Sequence, residues 1–136
     1  MKVLIVDGQG GKIGKSIVEQ LKEKRCDCTV IAVGTNTAAT SAMMKAGADE
    51  CATGENPVIV AAQRADIIVG AMGIIAANSL LGEITPGMAL AISESRAQKV
   101  LVPMNRCAIA VAGIGEHSLS EYISMAADMV CELCRK

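Results

Sequence analysis

The residues best suited to chemistry in this 136-residue chain lie in Asp7-Gly8-Gln9-Gly10-Gly11-Lys12-Ile13-Gly14-Lys15-Ser16. Two dinucleotide-binding spacings overlap there, Gly8-x-x-Gly11-x-x-Gly14 and Gly8-x-Gly10-x-x-x-Gly14. Gly8 permits a tight turn, Gly10 or Gly11 lets the backbone approach a pyrophosphate, and Gly14 lets a helix pack closely on a strand. A helix opening here offers free N–H groups and partial positive charge to phosphates. The same glycines are also what a tight strand-to-helix turn needs with no ligand at all. Gly14-Lys15-Ser16 gives the ending of a P-loop, but the required earlier glycine falls on Gln9, and the later strands end in Gly34, Gly70 and Pro103 rather than in an acidic residue to hold magnesium.

Other polar groups cluster by position. Gly34-Thr35-Asn36 stands where a carboxylate for ribose hydroxyls is usual, so neutral Thr35 and Asn36 are the candidates for that contact. No arginine is nearby to favour a 2′-phosphate. Asp7 puts negative charge beside the proposed pyrophosphate; it also suits a brace for the turn through backbone N–H groups. Gly70, Met72 and Gly73 form a second small-residue loop, suited to a ligand's ring or ribose and equally to close helix packing. Asn78 is a lone amide in the apolar Ile74–Leu81 stretch; it would face the crevice, cap a helix or pair across a subunit boundary.

Asn105 and Arg106 follow a later strand, where Arg106 suits a carboxylate or phosphate, or a surface ion pair. Cys107 would act as nucleophile only with a base or positive field beside it. His117 is the sole imidazole, which weakens any imidazole relay or multi-histidine metal site. Tyr122 has Ala126, not lysine, four residues on, so the catalytic pair of short-chain dehydrogenases is missing. Cys26-x-Cys28 and Cys131-x-x-Cys134 belong to separate elements and read as reduced structural thiols; no metal site is expected. The methionines read as core fillers.

The elements that must position these residues alternate along the chain. Strands are expected at Lys2–Asp7, Cys28–Val33, Glu50–Ala52, Ile67–Gly70, Lys99–Val102 and Ala108–Ala112. Helices are expected over Lys12–Lys24, Thr37–Ala46 closed by Gly47, Pro57–Arg64, a short Ile75–Leu81, and Thr85 to about Ala97. A last helix opens with a Ser118/Glu121 capping box and has a seam of Leu119, Ile123, Ala127, Val130 and Cys134. This rhythm implies a single three-layer, doubly wound α/β domain over residues 1–136. Its six-stranded, mostly parallel sheet would run 3-2-1-4-5-6, with a ligand at the carboxyl ends of strands one and four.

Composition narrows the function. Thirteen Lys+Arg against fourteen Asp+Glu give a formal charge of -1, and there is one Tyr with no Phe or Trp. Nucleic acid, which needs a positive field and stacking platforms, is therefore not an expected partner. No apolar run reaches the ~18 residues of a membrane span, and no secretion signal opens the chain. A soluble, cytoplasmic protein is expected.

Taken together, the segments DGQGGKIGKSIVEQL, GTNTAATSAMMKAGA, ATGEN, GIIAANSLLGEIT and PMNRC resemble a family of small uncharacterised bacterial proteins with a Rossmann-like architecture. The resemblance covers nearly the whole chain. It implies a stand-alone NAD(P)-binding type of domain and brings no established activity or catalytic residue. Gly8, Gly10, Gly11, Gly14, Thr35, Asn36, Gly73, Asn78, Asn105 and Arg106 fall in its matching segments. The expected ligand is NAD(P) or otherwise an adenine nucleotide, held by the Gly8–Gly14 loop, in a homo-oligomer joined through Ile74–Leu81. Two alternatives stand beside it: a non-enzymatic regulatory or assembly module with structural glycines, and a small enzyme using Asn105, Arg106 and Cys107 on a phosphorylated metabolite.

Overall fold

A computed structural model describes residues 1–103 and 108–136. Five strands form one parallel sheet in the order β3-β2-β1-β4-β5. They are β1 (Lys2–Asp7), β2 (Thr29–Gly34), β3 (Glu50–Thr53), β4 (Ile67–Ala71) and β5 (Gln98–Val102). Helices α1 (Lys12–Glu23), α2 (Thr37–Lys45), α3 (Glu55–Arg64), α4 (Pro86–Glu94) and α5 (Leu119–Cys134) cover it. The layering follows from side-chain alternation. In β1, Val3 and Ile5 enter one core with Ile17 of α1, Met43 of α2 and Val130 of α5, while Leu4 and Val6 enter the other with Val58 of α3 and Ile92 of α4. A strand apolar on both faces needs both covers, which is why β1 reads as a continuous apolar run from Val3 to Val6.

The sixth strand is not present. Ala108–Ala112 is exposed, has no sheet partner among the described residues, and begins with Ala108 at φ 54°, a left-handed conformation no strand uses. An alternating Ala/Ile/Val pattern fits a strand, but nothing packs on this one to bury its apolar side. The expected Ile75–Leu81 helix is also absent. Met72–Ile75 makes one 3-10 turn, and the chain then turns tightly, with Asn78, Leu80 and Leu81 at φ 66°, 55° and 55°. Three left-handed residues in four break any helix.

Several helix ends follow their signals, but α3 opens at Glu55 behind Gly54, two residues before Pro57, and α4 ends at Glu94, short of Ala97. Thr85 caps α4 with proline at the first turn, and Gly47 closes α2 at φ 112°. Ser118 and Glu121 form the capping box of α5. The buried seam of that helix is Ile123, Ala126, Ala127, Val130 and Cys131, so Leu119 and Cys134 lie at its margin. No helix among the described residues is long and apolar enough to cross a membrane.

Candidate functional site

Parallel register brings the polar groups together. Asp7, last in β1, pairs with Gly34, last in β2, and the Thr35 N–H donates to the Asp7 carbonyl at 2.9 Å. The loops after β1 and β2 therefore start side by side. On the other flank β1 pairs with β4, which is reached by a crossover on the opposite face, so the loops after these two strands diverge and leave a crevice. A cavity of about 350 Å³ lies there, lined by Asp7 through Ile13, Ala71, Leu80 and Leu119.

The glycines of the first loop have different reasons to be glycine. Gly11, the N-cap of α1, has φ 71°, and a Cβ would come within 2.8 Å of the Ala39 Cα. A Cβ on Gly14 would meet the Met43 sulfur at 2.5 Å, and one on Gly8 the Thr35 hydroxyl at 2.7 Å. Gly10 lines the cavity with nothing within 4 Å of where its Cβ would stand. Packing thus explains three of them and leaves Gly10 unexplained.

Asp7 is the buried ionisable side chain of the described core, 6% exposed. Its carboxylate accepts the Gly8 N–H at 2.8 Å and the Gly14 N–H at 2.7 Å, bracing the turn from inside. Burial raises its pKa above the usual carboxylate value; the N–H donors of Gly14 and Gly8 pull the other way, and the charge of Glu83 adds to the rise. The Gly14 donor therefore already has an acceptor. Among the described residues the N–H groups of Gly10 and Lys12 have no acceptor, and both residues line the cavity.

Glu83 is absent from the sequence-based set and, like Thr35 and Asn36, is not among the residues lining the cavity, but it holds the loop that is. Its Oε1 accepts the Thr35 hydroxyl at 2.6 Å, the Asn36 Nδ2 at 2.8 Å and the Gln9 N–H at 2.9 Å. The Thr35 hydroxyl first, and then the Gln9 N–H, hold its carboxyl below the usual range. Asn36 also donates to the Gln9 carbonyl at 3.1 Å and caps α2 by accepting from the Ala39 N–H at 2.9 Å. A signal for Glu83 existed: it is the lone charged residue between Asp66 and Glu94. Leu119, expected in the α5 seam, is 44% exposed and forms a cavity wall with Leu80.

The remaining candidates lie elsewhere. Gly70 is packed so that a Cβ would meet the Val6 carbonyl at 2.7 Å. Met72 and Gly73 sit in the 3-10 turn, where the Gly73 carbonyl accepts the Ser79 hydroxyl. Asn78 is exposed, its N–H bound to the Ile84 carbonyl at 2.7 Å. None of these four lines the cavity. Asn105, Arg106 and Cys107 lie outside the described residues. His117 pairs with Glu121 at 3.3 Å and stacks edge-on against Tyr122.

The cysteine pairs, expected to be unrelated reduced thiols, meet. Cys26 and Cys131 are joined as a disulfide, with Cα atoms 5.3 Å apart. The Cys28 thiol is in hydrogen-bonding contact with Cys134, and burial first and that neighbour second push it up to about 11. The sequence places these pairs 105 residues apart; only the packing of α5 beside α1, against the same core as β2, brings them together. Among the described residues no three His, Cys, Asp or Glu side chains are grouped to hold a metal ion.

These features define a parallel α/β protein with a glycine-rich first crossover and a crevice where the strand order reverses. The chain belongs to the DUF3842 family, a domain of unknown function, whose model matches residues 2–135. The structure of AibC is similar over 97% of this chain and 39% of AibC, with a TM-score of 0.50 and 17% identity. The chain thus spans about two fifths of that protein's length. A dodecameric FMN-dependent UbiX-like decarboxylase from Escherichia coli O157:H7 aligns over 95% of this chain and 75% of its own, with a TM-score of 0.45 and 18% identity. At 17% identity the likeness to AibC is one of fold. No curated protein matches the sequence.

Proposed function

We propose that residues 1–136 form one nucleotide-binding unit whose Gly8–Gly14 loop holds the phosphate end of the ligand. The observation that carries this reading is Gly10: it borders the cavity, and among the described residues no atom requires it to be glycine. The free N–H groups of Gly10 and Lys12, with the Lys12 ammonium, would receive a phosphate outside the Asp7 carboxylate. Ile13, Ala71, Leu80 and Leu119 offer an apolar wall for a ring in a chain with almost no aromatic residues. Thr35 and Asn36 were the expected ribose contacts; in this reading Glu83, which they fix, takes the ribose hydroxyls through Oε2.

The ligand's class follows from size and charge. A cavity of about 350 Å³ is near the lower end of the usual 300–1,000 Å³ for ligand pockets. It suits an adenine nucleotide or the adenosine half of NAD(P) better than an enclosed whole dinucleotide. Glu83 would repel a 2′-phosphate, which favours NAD over NADP. A thermal-shift screen with NAD(H), NADP(H), ATP, ADP, FMN and coenzyme A tests the reading. Stabilisation is expected from a ligand without a 2′-phosphate, and no shift at millimolar concentration with any of them would overturn it.

A second reading, assembly of copies through Ile74–Leu81, is favoured by Leu81. It is 96% exposed on a left-handed turn beside the cavity, with Ile75 39% exposed nearby. A leucine so presented suits burial against a second copy. Light scattering at high concentration checks it, and a strict monomer counts against it.

A further inference from the structure

We infer that the Cys26–Cys131 bond is a redox clamp on the crevice. Formed, it fixes α5 against α1 and holds Leu119 at the cavity wall; reduced, it releases α5 and weakens ligand binding. This regulation rests on the nucleotide reading of the crevice. Both helices start at the cavity, which Lys12 and Ile13 of α1 and Leu119 of α5 line. Both end at the opposite, amino-terminal edge of the sheet, where Cys26 precedes β2 and joins Cys131 with Cα atoms 5.3 Å apart. The two helices therefore pack side by side in the same direction, pinned at one end and framing the crevice at the other. At a rise of about 1.5 Å per residue, Leu119 stands about 18 Å along α5 from Cys131.

The chain is shaped to make that pin. Arg25 follows α1 at φ 52°, a left-handed position usually left to glycine. The Cys26 N–H then donates to the Leu21 carbonyl at 3.1 Å, so the chain turns toward α5 instead of extending α1. Other holds on α5 are weaker. Its seam includes the small residues Ala126 and Ala127. The Lys24–Asp128 ion pair at 2.7 Å faces solvent, where such pairs contribute little. Ala108 to Ser118, which lead into α5, are exposed throughout and have no sheet partner among the described residues. Without the bond, α5 is free to tilt about a shallow seam and carry Leu119 away from the wall.

The exchange chemistry is open to an external reductant. Cys131 is 7% exposed, whereas Cys26 is half-buried between exposed Arg25 and Asp27, so attack falls on the Cys26 sulfur. A dithiol reductant forms a mixed disulfide there, and Cys131 leaves as a thiolate and takes a proton. The second reductant thiol then displaces Cys26 and closes its own disulfide, so two electrons and two protons pass to the protein. Linkage makes the effect reciprocal: the factor by which reduction weakens binding is the factor by which ligand protects the bond.

The test poises whole protein in a dithiol–disulfide buffer and reads ADP and NAD affinity by calorimetry in each state. Binding about tenfold weaker is expected in the reduced form, and saturating ligand should lower the midpoint potential of the bond by about 30 mV, the two-electron equivalent of tenfold. Cys26→Ser should bind as the reduced parent does and lose the redox dependence. Methyl NMR spectra of the ligand-free parent give a second readout that needs no variant. Reduction should move the Leu119 and Ile13 methyls while Val58, in the other core, stays in place. Equal affinity in the two states would overturn the clamp, as would methyl shifts confined to the surroundings of Cys26 and Cys131. If neither state binds ADP or NAD, the nucleotide reading fails and the methyl spectra alone decide whether the bond controls the crevice wall.

Discussion

Glu83 Oε1 accepts the Thr35 hydroxyl at 2.6 Å across 48 positions of sequence. Dinucleotide-binding chains commonly place a carboxylate at the end of the second strand; here that strand ends in Gly34 and the carboxylate arrives from the β4–α4 connection. One oxygen ties together the loops after β1 and β2 and the segment that walls the crevice.

Glu83→Gln should loosen that tie. A neutral amide is a weaker acceptor than a carboxylate, so amide exchange at Gln9 should speed up and affinity for ribose-bearing ligands should fall. The pH dependence has a definite sign. The folded-state pKa of Glu83 is lowered, so its contribution is present above the unfolded value of about 4.5 and is lost as pH falls through the lower folded value. Gln9 protection should hold at neutral pH and collapse in acid; loss on going alkaline would contradict this role.

Gly10 and Gly11 should separate ligand from fold. Gly11→Ala forces a left-handed Cβ onto the Ala39 backbone and should cost about 1–3 kcal/mol in urea unfolding. Gly10→Ala should stay within about 0.5 kcal/mol of the parent yet weaken nucleotide binding. Unchanged nucleotide affinity in Gly10→Ala would leave that glycine without a role.

Asp7→Asn should be destabilising by about 1–3 kcal/mol, since an amide turns an NH₂ toward one of two backbone N–H groups. The folded-state pKa of Asp7 is raised by burial. Its contribution is therefore full below the unfolded value of about 3.8 and declines as pH rises through the folded value. The stability difference between parent and variant should narrow with rising pH across that window, as read by denaturant melts at several pH values. A bound phosphate would raise the Asp7 pKa further, so phosphate affinity should increase as pH falls.

Ser118→Ala removes the hydroxyl that accepts from the Glu121 N–H at 3.1 Å and breaks the capping box. A loss of about 1 kcal/mol is expected by thermal unfolding. Because Leu119 starts α5 and walls the cavity, fraying of this turn should also increase access of solvent to Ile13.

Strand order through β5 and most helix ends were legible because each has a local cause: β-branched runs for buried strands, Thr85 and Ser118 for caps, Gly47 for an exit. Ala108–Ala112 was misleading because alternation shows only that a segment suits a strand, not that an edge is waiting for it. Ile75–Leu81 failed similarly, since apolar composition does not reveal left-handed turns at Asn78, Leu80 and Leu81. The glycine loop and the Asp7 brace follow from short-range spacing. The Glu83 contacts and the Cys26–Cys131 pair depend on contacts between distant segments, which spacing does not encode.

The most direct test of nucleotide binding at the first loop is a proton–nitrogen NMR titration of the labelled protein with ADP and NAD. Binding as proposed shifts the amides of Gly8, Gly10, Gly11 and Lys12 in a saturable way and leaves those around Cys28 and Cys134 in place. No shift at these loop amides, or shifts confined to another face, would contradict it.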